Sequence, residues 1–209
     1  MRSLLLIALL SLAFSVRADQ VDPPDQFSGV RDRIKTLIDN GDSPAVSVAV
    51  VQNDRLIWAE GFGYADLETK TPATADTIYR LASISKSFTG TGLMVLVDRG
   101  DINLDAPANQ YLTGEKLRSY IGSADEITVR QLANHTSGLP LHWNFFYPGH
   151  QPPAFDRTLR RYGFAYRKPG TFWEYSNLAY GVLDRITANA AGKSWSQFMR
   201  HEVYTPLGM

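Results

Sequence analysis

The stretch from Ser83 to Arg99 constrains this chain most. Phe88, Leu93, Met94, Val95, Leu96 and Val97 put apolar surface on every side of a helix. A helix that is apolar all round belongs inside a core. Gly90 and Gly92 interrupt it, each at a cost of about 1 kcal/mol relative to alanine, so the sequence predicts close packing there. Gly100 supplies the stop.

The front of this helix carries Ser83-Ile84-Ser85-Lys86. Residues three apart share a helix face, so the spacing sets a hydroxyl beside an amine. A serine hydroxyl is a poor nucleophile until a base activates it, and an adjacent lysine is one solution. A serine three residues before a lysine is commonplace in isolation. Its setting separates this one. Burial in an apolar helix predicts a Lys86 that is not freely solvated, with its pKa drawn from ~10.4 towards neutrality. The helix N-terminus also favours a developing oxyanion.

Tyr175-Ser176-Asn177 is the second candidate, after a turn at Pro169-Gly170. In extended chain, residues i and i+2 point to one side, so Tyr175 and Asn177 face a common cleft. A phenol titrates near ~10 and becomes a useful base only beside a positive charge such as Lys86. Asn177 both donates and accepts, which suits a substrate amide. Taken alone, the segment reads as a surface loop.

The remaining chemistry-bearing residues point elsewhere. His135, His142, His150 and His201 lack metal-ligand spacing, and no metal or cofactor is expected. His135 reads as a structural turn residue. Trp143, Phe145, Phe146 and Tyr147 read as a cover for the helical core, ahead of a role in lining a substrate pocket. Gly61-Phe62-Gly63 reads as a bent strand end, because no third glycine and no helix follow it as a dinucleotide loop requires.

The 21 basic and 21 acidic side chains balance, which gives no electrostatic case for nucleic acid or an anionic membrane. Arg2, the apolar run Leu4 to Val16 and the small residues around Ala18 read as a signal peptide over 1–18, cleaved after Ala18. That run is shorter than the ~20 residues a bilayer span needs, so no stable membrane anchor is expected. With no cysteine, neither disulfides nor thiolate chemistry can contribute. Export to a bacterial periplasm, or secretion, is the expected destination.

Residues 19–26 read as a linker. Phe27, Val30, Ile34, Leu37 and Ile38 recur at helical spacing, with a stop at Asn40-Gly41. Ala45 to Val51 and Arg55 to Gly63 form a hairpin about Gln52-Asn53-Asp54. Both faces of the first strand are apolar or small, so it is expected to be covered on both sides. After the Ser83 helix no strand signal remains. Helices are expected from Thr128 to Leu132, Asp156 to Tyr162 and Leu178 to Ala191, and a last one opens with the capping pair Ser194 and Gln197.

These residues resemble the serine β-lactamase and D,D-peptidase (penicillin-binding protein-like) superfamily, in its class C β-lactamase-like and esterase-like branch. The resemblance runs over nearly all of 27–209. Ser83-Ile84-Ser85-Lys86 is similar to its S-x-x-K, and Tyr175-Ser176-Asn177 to its Y-x-N. Gly63-Tyr64-Ala65-Asp66, Arg80-Leu81-Ala82-Ser83, Leu132 to Pro140 and Pro206-Leu207-Gly208-Met209 are also family-like. The resemblance implies an α+β fold: an antiparallel sheet flanked by helices, plus an all-helical region. It implies a serine hydrolase acting through an acyl-enzyme on a β-lactam, a D-alanyl peptide or a small ester or amide. It makes Ser83 the acylated nucleophile and Lys86 its activating partner. Tyr175 becomes the general base and acid, and Asn177 a contact to lysine and substrate.

One departure stands out. The family's third motif, K-T-G or H-x-G, and its later sheet strands do not occur before Met209. The expectation is therefore a C-terminally truncated domain over 27–209, inefficient alone because half of the oxyanion hole is absent. Loss of one oxyanion donor costs about 10²–10³ in rate, and a lone hairpin is marginal in water. The alternatives are a non-catalytic binder of penicillin or peptidoglycan peptides, and a fragment that needs a second chain.

Overall fold

The computed structural model describes residues 20–141, 149 and 151–209. They divide into two compact units between Arg80 and Leu81. The signal-peptide expectation falls outside the described residues. So do Trp143, Phe145, Phe146, Tyr147, His142 and His150.

In the first unit, helix α1 spans Ser28–Asp39 and is followed by Gly41 at φ +76°. Strands β1 (Ala45–Gln52) and β2 (Arg55–Asp66) form the expected antiparallel hairpin. Asn53 and Asp54 both have positive φ, as the favoured two-residue hairpin turn requires. A short β3 (Thr71–Pro72) pairs with the far end of β2, giving the order β1-β2-β3. Backbone bonds also join Val21, in the stretch expected to be a linker, to Ala59 of β2. Ala59 thus has Ala49 on one side and Val21 on the other and is fully buried.

β1 does not match the expectation of cover on both faces. Its residues are half-buried or exposed, and among the described residues β2 is its only strand neighbour, which leaves its other edge open as well. The bend at Gly63 is as expected. Its φ is +75°, and a Cβ there would lie 2.3 Å from the Pro44 carbonyl oxygen. Phe27 stacks on the buried Trp58. The Trp58 indole N–H donates to Glu60, a buried carboxylate that Arg31 clamps with its guanidinium.

The second unit is mainly helical. A 3-10 turn at Ala82–Ile84 leads into α2 (Ser85–Asp98). Then come β4 (Arg118–Ser119), α3 (Val129–Ala133), α4 (Phe155–Tyr162), β5 (Phe164–Ala165), α5 (Asn177–Ala191) and α6 (Trp195–Met199). Every helix expected from the sequence is present. Thr128 with Gln131, and Ser194 with Gln197, make capping boxes. β4 and β5 form a two-residue parallel pair, too short to leave any periodicity in the sequence.

The core packs α5 against α2, α3 and α6. Leu93, Leu96, Leu132, Val182, Leu183, Ile186, Phe198 and Met199 are buried in it. α2 is not buried all round, however: Met94 is 49% exposed. Its glycines also differ. A Cβ on Gly92 would lie 2.4 Å from the Met199 sulfur, so close packing does require it. At Gly90 a Cβ would meet nothing within 4 Å. Together the two units give the expected α+β class, with an antiparallel sheet and a separate helical region.

Candidate active site

Ser83, Lys86, Tyr175 and Asn177 all lie in the second unit, and the fold brings all four together. The Ser83 Oγ is 2.6 Å from the Tyr175 phenol oxygen. Lys86 Nζ donates to Asn177 Oδ1 at 2.7 Å and to Ser83 Oγ at 3.3 Å. The same ammonium lies 4.7 Å from the centre of the Tyr175 ring and 5.5 Å from that of Tyr180.

Local backbone explains how the 3-10 turn presents Ser83 and α2 presents Lys86. Ala82 has φ +46°, a left-handed conformation that costs a non-glycine residue about 1–2 kcal/mol. The chain therefore bends sharply just before Ser83, which is exposed, while Lys86 one turn later is half-buried. A second polar rung ties α2 to α5: Thr89 donates to Asp184 Oδ1 at 2.9 Å. Thr89 is three residues beyond Lys86, and Asp184 two turns beyond Asn177. The Lys86–Asn177 and Thr89–Asp184 bonds thus fix the register of the two helices.

The Tyr175 segment is held by residues 135–141. The buried Ser176 caps α5 by accepting from Ala179 N–H, and its hydroxyl donates to the Pro140 carbonyl at 2.7 Å. The Asn177 N–H donates to the Leu141 carbonyl and the Glu174 N–H to that of His135. The Ser176 N–H donates to His135 Nδ1 at 3.1 Å. Ser176 itself is extended, so Tyr175 and Asn177 reach the same side, as the i, i+2 spacing predicts.

The electrostatics favour a reactive phenol. Burial pushes Tyr175 up, but hydrogen bonding to Lys86 and Ser83, together with the lysine charge, outweighs it and leaves the phenol below its ordinary value. Tyr180 goes the other way, raised by burial and by Tyr175. Its hydroxyl donates to the Ala133 carbonyl at 2.9 Å. Burial, with the Lys86 charge, lowers His135 below 6.5.

Two residues here escaped the sequence reading. Tyr180 shares a helix face with Asn177, three residues on, and that spacing is a usable signal. The sequence marks His135 as a turn residue. It does turn the chain, at φ +64°, but its ring also packs on Tyr175 with centroids 4.6 Å apart. His201 instead contacts Glu202 at the exposed surface. Among the described residues no cluster of three or more metal-ligating side chains occurs, and no helix is long and apolar enough to cross a membrane.

Comparison with known proteins places this geometry in context. The beta-lactamase family model matches residues 30–209. Penicillin-binding protein 4* of Bacillus subtilis (strain 168) is 28% identical over 170 residues, covering 78% of this chain and 36% of that protein. Among solved structures, EstCE1, described as a hydrolase with promiscuous acyltransferase activity, superposes with a TM-score of 0.77 at 27% identity. That match covers 87% of this chain and 51% of EstCE1. A beta-lactamase/D-alanine carboxypeptidase from Yersinia pestis gives a TM-score of 0.72 at 27% identity, covering 87% and 53%. The chain thus spans little more than a third of that curated relative and about half of each solved structure.

Proposed function

Because this chain belongs to the beta-lactamase family, we propose that it serves an exported serine hydrolase that works through an acyl-enzyme on Ser83. The substrate class is a β-lactam, a D-alanyl peptide or a small ester or amide. The single observation that carries the reading is the 2.6 Å approach of Ser83 Oγ to the Tyr175 phenol, beside an ammonium that lowers that phenol. Substrate range follows by analogy with the penicillin-binding, carboxypeptidase and acyltransferase activities named for its relatives. Export rests on the apolar N-terminal run.

In this reading each group takes one step. Ser83 Oγ already accepts from Lys86, so its own proton is free to point at Tyr175. As Oγ bonds to the substrate carbonyl carbon, Tyr175 in its phenolate form takes that proton, and the carbonyl electron pair moves onto oxygen. The oxyanion forms at the N-terminal end of α2, where backbone N–H groups and the helix dipole favour negative charge. Collapse re-forms the carbonyl and breaks the bond to the leaving nitrogen or oxygen, which takes the proton back from Tyr175. Water repeats the sequence on the acyl-enzyme and frees Ser83. Lys86 holds the phenolate form by charge, and Asn177 holds Lys86.

The test is covalent labelling of the protein, expressed from its complete reading frame, with a fluorescent penicillin, an activated ester and a fluorophosphonate. A single adduct on Ser83, lost in Ser83→Ala, supports the reading. No adduct with any of the three rejects it.

A further inference from the structure

His135 brackets Tyr175. Its carbonyl accepts the Glu174 N–H at 2.8 Å and its Nδ1 accepts the Ser176 N–H at 3.1 Å, so the N–H groups of the residues on either side of Tyr175 both hang on this one residue. The ring lies 4.6 Å from that of Tyr175 and 5.2 Å from that of Tyr180, with Trp173 edge-on at 6.0 Å. The residue holds φ +64°, a left-handed conformation that histidine, with asparagine and aspartate, adopts more readily than most side chains. A turn makes no use of the ring, whereas the Nδ1 bond to Ser176 and the packing on Tyr175 do.

We propose that His135 is a positioning residue for Tyr175, working as a neutral imidazole whose unprotonated Nδ1 anchors the Ser176 N–H and so holds the phenol against Ser83. The proposal rests on the reading of Tyr175 as the group that takes the serine proton.

The chemistry of the ring makes this testable. Neutral imidazole has one acceptor nitrogen, and here it is Nδ1, so the proton sits on Nε2. Protonation turns Nδ1 into a donor facing another donor, and the Ser176 N–H loses its partner. The charged and titratable groups around the ring are Lys86 from α2, Tyr180 from α5 and Tyr175 itself. Lys86 and burial both oppose the imidazolium. The anchor therefore holds at neutral pH and fails in acid, below the ordinary histidine value. A purely structural turn residue has no such dependence.

Two variants separate the roles. His135→Gly keeps the positive φ without strain and removes the acceptor. His135→Asn also tolerates that φ and offers an acceptor oxygen that does not titrate. Acylation of Ser83 by an activated ester is measured from pH 4.5 to 8. His135→Gly is expected to lose about 10²-fold at pH 7.5, the scale of a misplaced catalytic group. His135→Asn is expected to recover most of that loss and to lack the acidic limb that wild type owes to the imidazole. Equal rates and identical pH profiles in all three proteins would overturn the proposal.

A second readout does not depend on activity. The 15N and 1H resonances of wild type are expected to show the proton on Nε2, and titration of the imidazole below 6.5 to move the Ser176 amide and the Tyr175 ring together. A Ser176 amide indifferent to that titration overturns the proposal, whether or not Ser83 is acylated. Absence of acylation beside a coupled titration rejects the proposed reaction and leaves the anchor standing.

Discussion

Ser83 Oγ and the Tyr175 phenol oxygen approach to 2.6 Å across 92 residues of chain. Such contact between a hydroxyl and a phenol held below its ordinary pKa is the arrangement the proposed general-base step needs. Tyr175→Phe removes one oxygen and little volume, so folding is expected to be intact by circular dichroism. Acylation of Ser83 is expected to fall by about 10²–10⁴, the usual share of a general base. Stopped-flow measurement with an activated ester checks this.

Lys86 acts on Tyr175 by charge as well as by hydrogen bonding. Lys86→Gln keeps a donor for Asn177 and removes the charge. Burial, the largest influence, is then opposed by the Ser83 hydrogen bond and no longer by the lysine charge, so the phenol moves up. The rate of Ser83 acylation is expected to fall by at least about 10²-fold at pH 7.5, with its dependence on a deprotonated group displaced to higher pH. A pH–rate profile from 6 to 10 reads both effects.

Asp184 couples the helix pair to pH. Burial raises its carboxyl from 3.8 to about 6, and the Thr89 hydrogen bond lowers it only in part. Between those values the folded protein holds a proton that the unfolded chain releases, so stability falls as pH rises through the window. At pH 7 and above the ionised carboxylate costs up to about 3 kcal/mol. Asp184→Asn keeps an acceptor for Thr89 and removes the charge. Urea unfolding is expected to show the variant more stable than wild type at pH 8, with the gap closing towards pH 4.

The two glycines of α2 give opposite outcomes. Gly92→Ala drives a methyl into the Met199 sulfur beside the buried Phe198, and overpacking of this kind costs about 1–3 kcal/mol. Gly90→Ala meets open space and is expected to stabilise by about 0.5–1 kcal/mol through helix propensity. Thermal unfolding of both variants checks the pair.

That contrast shows what the sequence could and could not reveal. Helical spacing, capping boxes and the Asn53-Asp54 turn are local signals, and they located every long element. The Ser83–Lys86 and Tyr175–Asn177 spacings are local too, so each pair was legible. Their meeting depends on how α5 lies on α2, and only the resemblance to a family anticipated it. Gly90 and Gly92 look alike in sequence because nothing local identifies Met199 as the neighbour of one. β4 and β5 are too short to have a period. β1 looked doubly covered because composition reports what a face tolerates, not what covers it. His135 was read by its turn, since its hydrogen bond to Ser176 spans 41 residues.

In the proposed reaction Ser83 is acylated because Tyr175 and Lys86 activate it. Intact-mass analysis, after reaction with a penicillin, an activated ester and a fluorophosphonate, tests it most directly when followed by peptide mapping. One acyl adduct is expected on the peptide containing Ser83, absent in Ser83→Ala and slow to form in Tyr175→Phe. An adduct that persists in Ser83→Ala, or none with any of the three reagents, would contradict it.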